Sequence, residues 1–242
     1  VGDDWQSINR FAGADVSVMT GFREWMGHAQ VLKLEQTFRC PQELCEISSS
    51  FISRNPAQIA KAVRSVTPAI GPVLQAFQMA RREEVQDGVR QYLAKLHQQL
   101  LSGALPRGRN GRVTVFILGR YRADRSAMPV DWKTSFGSTM EVEFLTAHRS
   151  KGREADYVIL PGMVSRGFPS LRADEPGLSR AMADGDTYPL SEERRLFYVA
   201  LTRARRSVAM FTLQGKHSPF LDELVEEGVV EVTGISGAAI NE

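Results

Sequence analysis

Apolar positions along this chain fall into two patterns, short runs and longer stripes at helical spacing, and the two alternate. "VLKL" (31–34) predicts a strand. Pro41 suits a first helical turn, and after it Leu44, Ile47, Phe51 and Ile52 share one face of a helix that should stop at Asn55-Pro56. From Arg82 to Leu101, apolar Val85, Val89, Tyr92, Leu93, Leu96 and Leu100 trace a long amphipathic helix closed by Ser102-Gly103. "VTVFIL" (113–118) is a continuous β-branched-rich run, the pattern of a strand buried on both faces. "EVEFLT" (141–146) and "DYVIL" (156–160) predict further strands. A helix is expected over 192–206, a strand in "SVAMFTL" (207–213), a short helix from Ser218-Pro219 through Glu227, and a last strand in "GVVEVTG" (228–234).

Alternation of this kind predicts an α/β fold with a mainly parallel sheet flanked by helices. Ligands of such folds gather at the carboxyl ends of strands, which draws attention to "EQTFR", "GRYR", "AHRSKGRE" and "PGMVSRGF". Arginine and lysine recur in these segments and favour a polyanion over a neutral ligand.

Composition narrows the picture only slightly. The 242 residues suffice for one large α/β domain or one and a half smaller ones, and 43% hydrophobic with 24% charged residues is ordinary for a soluble globular protein. The net charge of +2 means that nucleic-acid binding must come from local clusters. Cys40 and Cys45 lie too close together for a useful disulfide and lack partners for a zinc site, as in a reduced, cytoplasmic protein. No apolar run approaches the roughly 20 residues of a membrane span, and there is no signal peptide, so no membrane partner is expected. The chain opens "VGDDWQSINRF", without a methionine, which suggests an excised fragment.

The segment "EERRLFYVALTRARR" carries the first candidate for chemistry. On the expected helix Leu196, Ala200 and Arg203 fall on one face, so Arg203 extends an apolar stripe. A buried guanidinium needs an anionic partner. An intradomain salt bridge or an exposed helix end is one reading, and an arginine aimed at a transferring phosphate is the other. "TAHRSKGRE" reads either as a phosphate-holding loop around Lys151 or as a plain basic turn; it is not a Walker A motif, whose GxxxxGK[ST] pattern the chain lacks. His148 alone reads as a surface histidine. In "LEQTFRCP", Phe38 and Arg39 could hold a base beside a phosphate, or be a core residue and a solvated charge. Asp3 and Asp4 suit capping or turn formation better than metal binding, and no metal ligand is assigned. Glu192 and Glu193 sit in a first helical turn, where the dipole favours them. No Ser-His-Asp or Cys-His arrangement is evident.

Four of these segments, in order, resemble the motifs of superfamily 1A DNA helicases of the UvrD/Rep type. "VGDDWQSINRFAGAD" resembles motif III, "LEQTFRCP" motif IV, "TAHRSKGREADYVIL" motif V and "EERRLFYVALTRAR" motif VI. Motifs IV and V lie about a hundred residues apart, leaving no room for the large subdomain that UvrD and Rep insert there. The resemblance implies a RecA-like, P-loop NTPase-type second motor domain over 21–242, with residues 1–20 a remnant of the first. It implies ATP and Mg²⁺, the metal held mainly by the first domain, and ATP-driven 3′–5′ movement on single-stranded DNA with unwinding at duplex junctions. A monomer is expected, and a fragment that does not hydrolyse ATP alone.

The resemblance also assigns roles. Gln6 would link the γ-phosphate to the DNA site, and Phe11 would stack on a base. Phe38 would pack on adenine and Arg39 reach the γ-phosphate. Thr146 and His148 match DNA-contacting positions, Lys151 lies near the nucleotide cleft, Glu154 matches the ribose-binding carboxylate, and Arg203 matches the arginine finger. Asn9 and Ala12 depart from the usual tyrosine and arginine of motif III, and Arg153 replaces the usual apolar residue before Glu154. A non-catalytic helicase-like module binding DNA or a protein remains the alternative from another class, and a helicase–nuclease fusion is a further one.

Overall fold

The computed structural model describes residues 2–9, 13, 15–28, 30–171 and 188–235. Six parallel strands form its main sheet: β3 (Leu74–Met79), β4 (Val113–Gly119), β5 (Met140–Thr146), β6 (Ala155–Leu160), β7 (Ala204–Leu213) and β8 (Val232–Gly234), in the order β5-β4-β6-β7-β3-β8. A separate parallel pair joins β1 (Gln36–Thr37) to β2 (Arg64–Ser65). The helices are α1 (Ser17–Thr20), α2 (Phe22–Met26), α3 (Gln42–Ser53), α4 (Val85–Leu101), α5 (Trp132–Phe136), α6 (Ser191–Leu201) and α7 (Pro219–Glu226).

Alternation along the buried strands produces two cores. Val113, Val115 and Ile117 of β4, with Tyr157 and Ile159 of β6, face α4 and α5. Phe116 and Leu118, with Val158 and Leu160, face α3, α6 and α7. Both faces of the sheet are thus covered, which is why these strands read as unbroken apolar runs. The mainly parallel sheet flanked by helices is the expected fold class. α3 and α4 bury the stripes anticipated for them, Ile47 only partly, and a 3-10 turn (Arg82–Glu84) leads into α4.

Three expectations need correction. Residues 31–34 are not a strand: Leu32 and Leu34 are 79% and 84% exposed, and pairing begins only at Gln36. A strand needs a neighbour, and here β2 offers only a two-residue ladder. The helix expected over 192–206 ends at Leu201, because Ala204 already pairs with Ala155 in the sheet, and β7 runs ten residues from there. The last strand shrinks to Val232–Gly234. The sequence reading missed β3, whose two glutamines weaken the apolar signal, although it sits between β7 and β8.

Candidate functional site

Register places the candidate residues at two opposite edges of the sheet. Gly119 and Thr146 end β4 and β5 side by side, whereas Ala155 and Ala204 begin β6 and β7 side by side. The loop 147–154 therefore crosses from the carboxyl edge to the amino edge, and α6 makes the same journey before β7. The expectation that ligand-facing groups gather at the carboxyl edge fits Thr146 and His148 alone. Glu154, Arg203 and the residues around them lie at the amino edge.

Arg203 occupies the turn between α6 and β7, not the helix. Its side chain is 1% exposed, and among the described residues its hydrogen-bond acceptors are neutral: Nε donates to the Val199 carbonyl (2.9 Å), Nη1 to the Arg153 carbonyl (3.2 Å), and Nη2 to Thr202 Oγ1 (3.1 Å) and Gln6 Oε1 (3.3 Å). The Val199 carbonyl, in the last helical turn, accepts from Thr202 Oγ1 (3.2 Å) as well, and a cation there suits the dipole. Neither the salt bridge nor the exposed helix end describes it. Burial, followed by the nearby Arg39 charge, lowers its pKa to about 10.

Beside it, on the neighbouring Thr202, Arg39 donates through Nη1 to the backbone carbonyl (3.4 Å), and through Nε to Glu154 Oε2 (2.9 Å). Arg205 takes the other Glu154 oxygen. These two cations, Arg205 first, hold the Glu154 carboxyl below its usual range against the opposing effect of burial. Phe38 is 71% exposed, which removes the core reading of that ring.

The segment 2–9 packs on the same edge. Trp5 and Ile8 are buried, Trp5 edge-on to Tyr198 at 5.3 Å, and Asp4 is fully buried beside Lys61 (2.5 Å). Lys61 also pairs with Asp3 (2.6 Å), which accepts the Gln6 amide N–H through its other oxygen and so turns Gln6 Oε1 toward Arg203. Lys151 Nζ donates to the Gln6 carbonyl (2.8 Å), and Arg195 Nε to the Ser7 carbonyl (2.7 Å). Asp3 also caps the following 3-10 turn, as expected. Phe11 and Ala12 lie outside the described residues.

At the carboxyl edge, Thr146 and His148 are half-buried. Burial and the Arg120 charge push the His148 pKa down to about 4, so the ring is neutral at pH 7. Arg120 is fixed bidentate by Glu193 (2.6–3.0 Å), and Glu193 also accepts the Ser170 N–H (2.8 Å). Glu193 is 2% exposed, so its place in a first helical turn is the lesser part of its role. Its "EE" neighbourhood gave no sign of this; the one available hint was the cation after β4 in "GRYR". Arg153 pairs with Glu143 (2.6 Å) and lies over Phe116 (5.0 Å), so it covers apolar surface much as an apolar residue would.

The amino edge thus collects Arg39, Lys151, Arg203 and Arg205 around one carboxylate and an exposed ring, a donor set that fits a nucleotide's phosphates, sugar and base. Among the described residues no group of three His, Cys, Asp or Glu could hold a metal ion. No described helix is long and apolar enough to cross a membrane.

Comparison with known proteins agrees with the motif pattern. Residues 126–215 match the UvrD-like helicase C-terminal domain, and the chain is similar to the UvrD-type DNA helicases. DNA helicase IV of Escherichia coli is 33% identical over 93% of this chain, and the match covers 31% of that protein. DNA helicase II of the same organism is 38% identical over 38% of the chain and 13% of its own length. A solved C-terminal domain of a possible DNA helicase from Lactobacillus plantarum is 16% identical, with a TM-score of 0.47, over 81% of this chain and 98% of that one. The chain therefore spans about a third of the length of DNA helicase IV.

Proposed function

We propose that this chain is the second RecA-like motor domain of an ATP-dependent DNA helicase, residues 21–242, with residues 1–20 carried over from the first. The observation that supports it most is the meeting of Gln6, Arg39, Glu154 and Arg203 at one edge, from segments nearly two hundred residues apart. ATP would be held with Mg²⁺ against the first domain, and hydrolysis there would join water to the γ-phosphorus in line with the bond to the departing ADP, leaving ADP and phosphate.

This chain's residues then act in trans. Arg39 exchanges Glu154 for phosphate oxygens, Glu154 becomes available to the sugar hydroxyls, and the base packs against Phe38. Arg203 begins short of compensating charge, so a phosphate oxygen is a better partner than the amide oxygen of Gln6. Gln6 reaches the γ-phosphate through its amide N–H, which leaves Asp3 to do so, while Lys151 stays on the Gln6 backbone. Closure therefore depends on the γ-phosphate. At the opposite edge, Thr146 and neutral His148 face single-stranded DNA, and Phe11 stacks on one of its bases. α6 ties the two edges, so each turnover alters the DNA grip, with net movement 3′ to 5′.

ATPase and unwinding assays on the full-length protein test this, wild type against Arg203→Ala. The variant should bind ATP and DNA and lose about 10³-fold or more in turnover. Near-normal turnover would return Arg203 to a structural role.

A further inference from the structure

The proposed mechanism gives Arg205 no step of its own, yet its hydrogen bond does most to hold the Glu154 carboxyl below its usual range. Its guanidinium holds Oε1 of that carboxylate while Arg39 holds Oε2 at 2.9 Å. Two cations thus share one anion, and the trio carries a net charge of +1.

The two arginines are mounted differently. Arg205 is the second residue of a ten-residue strand, directly after the Ala204–Ala155 pair with β6 and ahead of the β3 pairing that starts at Val208, and its neighbours Ala204 and Arg206 are buried. Arg206 is itself tied to the carbonyls of Pro106 (2.6 Å) and Arg107 (3.1 Å) and to Asp156 (3.4 Å). Arg39 instead follows a two-residue strand, in a bend, and its second bond is a long one of 3.4 Å. Of the two, Arg39 is the one built to leave.

A carboxylate that loses its only cation in a partly buried site becomes costly to keep ionised. Two partners remove that penalty for Glu154. We propose that Arg205 is a positioning residue for Glu154: it keeps the carboxylate charged and anchored through Oε1 when Arg39 turns to phosphate. The oxygen that Arg39 vacates, Oε2, is then presented to a sugar hydroxyl. Arg205 thereby lowers the cost of recruiting Arg39 and sets discrimination between ribo- and deoxyribonucleotides. The inference rests on the nucleotide reading of Arg39 and Glu154.

The test is steady-state ATPase of the full-length protein on single-stranded DNA, with ATP and with 2′-deoxy-ATP. The variants are Arg205→Met, Arg205→Lys, Glu154→Gln and the Glu154→Gln/Arg205→Met double variant. Arg205→Met should raise the KM for ATP about tenfold, the scale of one charge-assisted hydrogen bond, with kcat near wild type. Its preference for ATP over 2′-deoxy-ATP should shrink, and Arg205→Lys, which keeps the charge, should recover most of both. In the Glu154→Gln background, Arg205→Met should add nothing further. Wild-type KM and sugar preference in Arg205→Met, beside a clear effect of Glu154→Gln, would overturn the proposal alone. A full additional loss in the double variant would overturn it too. A silent Glu154→Gln would instead remove the nucleotide reading on which the proposal stands.

Discussion

A fully buried guanidinium with no carboxylate against it is an uncommon arrangement, and Arg203 meets it with four neutral oxygens. Those acceptors supply hydrogen bonds without a compensating charge, so burial and Arg39 bring its pKa down to about 10. At pH 7 it still carries its proton, and an arriving anion gains the full attraction of an under-compensated cation. His148 is perturbed the same way with a different consequence. Its folded pKa of about 4 lies below the ordinary 6.5, so between those values the unfolded chain binds more protons. Stability attributable to His148 is therefore complete above about pH 6.5 and falls as the pH drops toward 4. Urea unfolding of the chain at pH 7 and pH 5 should show a loss at pH 5, and in His148→Gln that loss should be smaller by about 1 kcal/mol. An unchanged pH dependence would mean the ring is solvated.

At the level of elements, α6 is the member that touches both edges. Near its start, Glu193 fixes Arg120 and the Ser170 backbone; at its end, Thr202 and Arg203 meet Arg39 and Gln6. Between them Arg194 holds Glu223 of α7 (2.8 Å) and Arg195 holds Ser7, so the helix is also stapled to α7 and to the segment 2–9. The sequence read this helix correctly as apolar and buried, but carried it five residues too far. Local pattern does not distinguish a helix end from a strand start when both are buried, and pairing with Ala155 decides it. α4 packs onto the opposite face through Gly88, where an added Cβ would come within 2.9 Å of Met79 and 3.2 Å of Phe211. Met79 is flexible enough to yield to one methyl, so Gly88→Ala should stay near wild type. Gly88→Val should destabilise by about 1–3 kcal/mol through overpacking, read as a lower urea midpoint. A wild-type midpoint for the valine variant would show that α4 can shift from the sheet at little cost.

For the whole molecule, covering the sheet on both faces leaves its two edges for chemistry, and each candidate site uses one of them. The amino edge offers Arg39, Arg203 and Arg205 near Glu154, with no P-loop sequence anywhere in the chain. Turnover should therefore be absent from this chain by itself. Phosphate release measured with ATP, Mg²⁺ and single-stranded DNA should stay at background, and DNA-stimulated hydrolysis would contradict the division of labour between two motor domains.

The sequence by itself determined the α/β class, the spans of α3, α4, β4, β5 and β6 to within a few residues, and the motif residues, because periodicity and residue type are local properties. Only the tertiary structure decided that Arg203 lies in a turn among carbonyls, that Arg39 and Glu154 neutralise each other, that Glu193 anchors Arg120, and that Arg205 joins the site. Each of these is a pairing between segments far apart in the chain. A carboxylate accepts from whichever cation the fold brings within reach, and strand register, which no single segment encodes, sets that distance.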